Sequence, residues 1–185
     1  MSHLSFLQLL HLMLPGVVLA AVVFAAVYVP RRRRLDRMGL VSAPLREVLL
    51  LAFFVYCGAM VALMFFPYDF DLLNVLANGY DKPFFQAGEI SVRFLNSLQH
   101  SRLLFWANVL MYVPLGFFPP LLWRERHWYG ALLVAVMIPS IVENWQLFVG
   151  RTFDVEDLLL NSMGVMLGWF IWLFVERPAL HCEEK

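Results

Sequence analysis

Five separate stretches of about twenty mostly apolar residues constrain this chain more than any other feature, because that is the length a helix needs to cross a bilayer core. They run roughly Leu4–Val29, Val48–Phe66, Leu103–Trp123, Trp128–Val149 and Leu158–Val175. Hydrophobic residues make up 61% of the chain and charged residues only 15%, well under the share in ordinary soluble domains. A water-soluble fold of this length has too little interior for so much apolar surface. The expected fold is an all-α polytopic transmembrane bundle of about five spans, forming one membrane domain over residues 1–185.

The positive charges predict its orientation. The first apolar segment has no basic residues ahead of it, is too long for a signal-peptide core, and is followed directly by Arg31, Arg32, Arg33, Arg34 and Arg37. Such a block also serves nucleic-acid binding, but its place after a span favours a topological role. With the N-terminus outside, the inner segments hold those five arginines and Arg46, Arg124, Arg126, Arg177 and Lys185. The outer side holds Lys82, Arg93, Arg102 and Arg151. The excess of inner positive charge predicts an N-out, C-in chain. A four-span alternative, with the first segment lying in the interface, is the weaker reading. Cys57 and Cys182 fall at different depths and do not suit a disulfide, and no Cys/His spacing suggests a metal or a cofactor.

The outer segment 67–102 starts with turn-forming and acidic residues and continues as EISVRFLNSLQ. Ile90, Phe94, Leu95 and Leu98 share a helical face there, which fits either a short interfacial helix or a loop packed on the bundle.

Against this apolar background, ENWQLFVGRTFDVEDLLLNSMGVMLG at 143–168 stands out for its ionisable groups. Glu143 and Gln146 are spaced i, i+3 on one face near the outer end of the fourth span, one turn beyond Pro139. Arg151 and Asp154 occupy the short outer turn. Asp154, Asp157, Asn161, Gly164 and Gly168 recur at spacings of 3 and 4, a single stripe along the fifth span. Gly164 and Gly168 form a GxxxG pair suited to close helix approach. On the third span, Asn108, Tyr112 and Gly116 share a face, and Pro114, Pro119 and Pro120 predict a kinked or broken helix. Asn108, Glu143, Gln146, Arg151, Asp154, Asp157 and Asn161 therefore converge at one depth as a candidate ligand site. Plainer roles compete for several of them. Asp154 suits an N-cap with Asp157 at N3, Arg151 an interfacial anchor, and Asn161 and the glycines helix packing. Glu143 is the hardest to explain structurally, because a carboxylate at that depth needs a partner.

NVLMYVPLGFFPPL and SIVENWQLFVGRTFDVEDLLLNSMGVMLG together resemble the VanZ-like family of bacterial membrane proteins. The family pattern is Asn followed by Pro-Leu-Gly, then Glu-x-x-Gln, Arg-x-x-Asp-x-x-Asp and Asn-x-x-Gly-x-x-x-Gly. The matching positions are Asn108, Pro114, Leu115 and Gly116, then Glu143, Gln146, Arg151, Asp154, Asp157, Asn161, Gly164 and Gly168. The resemblance covers 103–175, the last three spans, with residues 1–66 contributing two additional N-terminal spans. It implies a multi-pass protein of the bacterial cytoplasmic membrane, from a family whose name-giving member is linked to teicoplanin resistance. It supplies a location and a site, but no reaction.

Three functions follow from these residues. The first is binding of a lipid-linked envelope component, a lipid head group or a lipoglycopeptide-type antibiotic at the outer leaflet. The second is an intramembrane enzyme on a lipid-linked substrate, with Glu143 as general base and Asp154 or Asp157 as acid or divalent-cation ligand. The third is a small transporter, disfavoured by the lack of a visible inverted repeat. Self-association through transmembrane helices is compatible with each.

Overall fold

The structure, a computed structural model, describes residues 6–67, 70, 72–79, 85–92, 102–123, 127–175 and 182–184. Five of its helices are long and apolar enough to cross a membrane. The chain divides into two compact units, Met1–Pro83 with Pro178–Lys185, and Phe84–Arg177.

The first unit is a helical hairpin. Helix α1 (Phe6–Arg37) leads through strand β1 (Leu40–Ser42) into α2 (Pro44–Phe65), followed by the short α3 (Leu72–Asn78). Helix α1 runs straight through the arginine block, whereas the sequence places its end near Val29. Arginine is a good helix former, so the charged block itself gives no stop, and the helix carries Pro30 inside it despite the lost hydrogen bond and the ring clash. The helix ends instead at Gly39, whose φ of 69° is the left-handed conformation that closes many helices. Pro44 starts α2 at its first turn, where a missing N–H is harmless.

The two helices cross at glycines. A Cβ on Gly16 would stand 2.0 Å from the Gly58 carbonyl oxygen, and one on Gly58 2.2 Å from that of Gly16. Ala20 and Ala62 follow one turn on, so both helices present a small-xxx-small pair. Cys57 is a half-buried free thiol. Strand β1 pairs antiparallel with β4 (Cys182–Glu184), with Leu40 opposite Glu184.

The second unit holds β2 (Ile90–Ser91), α4 (Arg102–Trp123), α5 (Trp128–Phe148), β3 (Phe153–Asp154) and α6 (Val155–Phe174). Helix α4 is uninterrupted across Pro114, Pro119 and Pro120, where the sequence predicted a kink or a break. Prolines are tolerated in membrane helices when packing and neighbouring groups compensate, and Pro120 and the adjacent Gly116 are buried. Helices α4 and α6 pack backbone to backbone. A Cβ on Gly116 would lie 1.8 Å from the Val165 carbonyl oxygen. The corresponding distances are 2.2 Å for Gly164 against Val109 and 2.0 Å for Gly168 against Val113. These glycines meet a helix of the same chain. Large apolar side chains on the outer faces stay exposed, among them Leu133, Phe170 and Phe174. In water such a surface would drive aggregation, whereas lipid solvates it.

The segment 67–102 contains a short helix at Leu72–Asn78. Ile90, expected on a helical face with Phe94, Leu95 and Leu98, instead lies in β2, which runs parallel to β3. The other three positions lie outside the described residues. The backbone explains the strand. Gln86 N–H donates to the Phe148 carbonyl at 2.8 Å and Gly88 N–H to that of Leu147 at 2.8 Å. Phe153 N–H donates in turn to the Glu89 carbonyl at 2.8 Å. The α5–α6 turn leaves backbone groups open at a helix end, and an extended neighbour satisfies them.

Candidate functional site

The α5–α6 turn and the facing part of α4 assemble the polar groups. Helix α5 ends with Val149 N–H on the Gln146 carbonyl at 3.2 Å, and Arg151 N–H shares that carbonyl at 2.9 Å. Gly150, at φ 73°, reverses the chain. Gly88 permits the extended segment to lie flat on this turn, since a Cβ there would stand 2.0 Å from the Arg151 carbonyl oxygen. The backbone carrying Arg151 is thus clamped from both sides.

Asp154 is the N-cap of α6, extended at φ −117° and ψ 120°, and its side chain accepts the Glu156 N–H at 2.9 Å. Asp157 does not complete a capping box. The N-cap's own N–H donates to Glu143 Oε2 at 3.3 Å, so a carboxylate from α5 takes the place that an N3 side chain usually fills. Asp157 turns instead to α4, where Oδ1 accepts from Asn108 Nδ2.

Glu143 is the hub. It is 1% exposed, and its second oxygen accepts from Asn161 Nδ2 at 3.5 Å. Both bonds are long, at the weak end of the useful range. Asp154, Asp157 and Arg151 lie within electrostatic reach of Glu143. Tyr112, fully buried on α4, interacts electrostatically with Glu143, Asp157 and Arg151. Its hydroxyl, Asn161 Oδ1 and Trp169 Nε1 are buried without a hydrogen-bond partner among the described residues.

The seven sequence-predicted residues therefore fall into two groups. Asn108, Glu143, Arg151, Asp154, Asp157 and Asn161 are joined by hydrogen bonds or by electrostatic contact. Gln146 is buried beside them, and its backbone carbonyl closes the turn. Two members were missed. Tyr112 is expected on the Asn108 face from its spacing, but not among the site residues, because a tyrosine one turn along an apolar span reads equally well as packing. Glu156 is 5% exposed despite its charge, and nothing local distinguishes it from a solvated first-turn acid. Among the described residues, no three His, Cys, Asp or Glu side chains come together in a way that could hold a metal ion.

The VanZ/LLP1 family matches residues 53–176, more than half of the chain. The chain belongs to the VanZ/LLP1 family. The match extends the likeness seen at 103–175 toward the N-terminus, taking in most of α2 and the whole 67–102 segment. Every polar group just described lies within the VanZ/LLP1 region. Comparison with curated proteins and with solved structures returns no significant match.

The N-cap of α6 in this VanZ/LLP1 protein gives a direct test. Asp154→Ala is expected to lower stability by about 1 kcal/mol, and Asp154→Asn by much less, because asparagine caps nearly as well. Unfolding of the purified protein in mild detergent measures both. Equal losses would show that the Asp154 charge, rather than its cap, carries the contribution.

Proposed function

We propose that this polar cluster binds the head of a lipid-linked envelope molecule, a lipid head group or a lipoglycopeptide-type antibiotic. It would do so at the outer leaflet of the bacterial cytoplasmic membrane. The placement follows from the excess of arginine on the opposite side in the N-out orientation. The observation that carries the reading is the set of buried polar atoms, Tyr112 hydroxyl and Asn161 Oδ1, without a partner among the described residues beside a mixed-charge group. Each such atom is destabilising by about 1–3 kcal/mol when left unsatisfied, and a ligand's hydroxyls and amides would satisfy it. Arg151 suits a phosphate or carboxylate on the same ligand, since a guanidinium binds planar oxyanions through several donors. Glu143, Asp154 and Asp157 hold that cation in place or accept an amine.

The closeness of two carboxylates, Glu143 and Asp157, favours a second reading, an intramembrane enzyme in which Glu143 is general base and Asp154 or Asp157 the acid.

Native mass spectrometry of protein purified gently from its own membranes, beside Arg151→Ala, tests the binding reading. A co-purifying lipid or lipid-linked glycan that is lost in the variant, with unchanged thermal stability, is the expected result. No bound species in either protein, with the variant merely less stable, would make the cluster a structural ion network.

A further inference from the structure

A second polar site lies in the Met1–Pro83 unit, where α1 meets α2. A cavity of about 470 Å³ opens there, lined among others by Tyr28, Arg31, Arg32, Asp36, Ser42 and Glu47. Its size falls within the roughly 300–1,000 Å³ typical of small-molecule sites.

The lining is organised. Arg31 Nη1 reaches both carboxylate oxygens of Glu47 at 2.7 Å, and Nη2 donates to Ser42 Oγ at 3.3 Å. That pair ties the end of α1 to the first turn of α2 and balances the Arg31 charge. Arg32 differs. Its Nη1 donates to the Tyr28 hydroxyl at 2.9 Å, and its guanidinium lies 5.9 Å from the Tyr28 ring centroid. Among the described residues Arg32 has no ion pair within 4.0 Å, although the Asp36 carboxylate lines the same cavity one turn on, so Arg32 is held by Tyr28 and enters the cavity lining without a direct carboxylate partner. Arg33, Arg34 and Arg37 follow on the same helix end and add positive charge without lining the cavity. Helix α1 has 32 residues, about 48 Å of length against a hydrocarbon core of about 30 Å. Its last turns therefore reach the depth of the phosphates.

We propose that this cavity binds a phosphate group, carried by the head group of an anionic phospholipid in the leaflet on the arginine-block side. Arg32 is its principal cation, and Ser42 and Arg31 share the lining. A topological signal alone needs only the number of positive charges near a span. A site needs one of them held in a particular place, and that separates the two.

The test titrates phosphatidylglycerol, and phosphatidylcholine for comparison, into the detergent-solubilised full chain, with bound lipid counted by native mass spectrometry. Arg32→Gln is expected to weaken phosphatidylglycerol binding about ten-fold, the weight of one charge-assisted hydrogen bond to phosphate. Arg33→Gln removes the same charge outside the cavity and is expected to leave binding near that of the unaltered protein. Tyr28→Phe keeps every charge but frees Arg32, and a partial loss is expected; it also serves if Arg32→Gln folds poorly. Adding inorganic phosphate identifies the source. Displacement of the lipid by phosphate alone assigns the site to phosphate from either source, and no displacement assigns it to the lipid. Equal losses from Arg32→Gln and Arg33→Gln, or no loss from either Arg32→Gln or Tyr28→Phe, would overturn the proposal.

Discussion

Gly116→Ala is expected to lower stability by about 3 kcal/mol, at or beyond the upper end of ordinary overpacking. The added methyl would stand 1.8 Å from the Val165 carbonyl oxygen and 2.8 Å from the Trp169 nitrogen. Both are backbone atoms of α6, so no side chain can swing away to relieve the clash. The two helices must separate, and the contacts at Gly164 and Gly168 loosen with them. Gly130→Ala on α5 is the control. Nothing lies within 4 Å of the place its Cβ would take, and alanine gains up to about 1 kcal/mol of helix propensity. Unfolding by a denaturing detergent measures both variants. A Gly116→Ala protein as stable as the unaltered one would mean that α4 and α6 do not pack at backbone distance.

The second large effect is expected at Glu143. Glu143→Ala leaves the Asp154 N–H and the Asn161 amide without their acceptor at a position 1% exposed. Breaking a buried charged network by removing one partner typically destabilises by about 3–5 kcal/mol. Glu143→Gln keeps the volume and one acceptor oxygen, but its amide must face a donor, so an intermediate loss is expected. The same variant separates the two functional readings. A binding protein keeps part of its co-purifying ligand with Gln at 143, whereas an enzyme keeps its fold and loses turnover altogether. Complete retention of stability in Glu143→Ala would remove Glu143 from the centre of the cluster.

Much of this is legible in the sequence, for identifiable reasons. Span positions depend on the local run of apolar residues, and α2, α4, α5 and α6 start or stop within a few residues of the expected limits. The polar stripe on α6 depends on helical period, which is also local. Asp154 as N-cap is one of the alternatives that residue type and place suggest. Other features have no local signal. The arginine block suggests an end to α1, but charge stops hydrocarbon burial without stopping a helix. The prolines of α4 suggest a break, but the cost of a proline depends on what packs against it. The strand at Ile90 exists because the turn near residue 150, some sixty residues away, has open backbone groups.

Sequence by itself determined that this chain spans a membrane, that a set of polar residues recurs at one level of the last three spans, and that the family pattern runs through them. Those properties follow from hydropathy and helical period, which act over a few turns. Tertiary structure alone decided who meets whom. It set Asp157 against Asn108, gave Glu143 the N–H of Asp154, brought Tyr112 to the same level, and placed Arg32 over Tyr28 in the lining of the cavity between α1 and α2. Partner choice depends on how closely helices approach, and here backbone contact at glycines sets that distance.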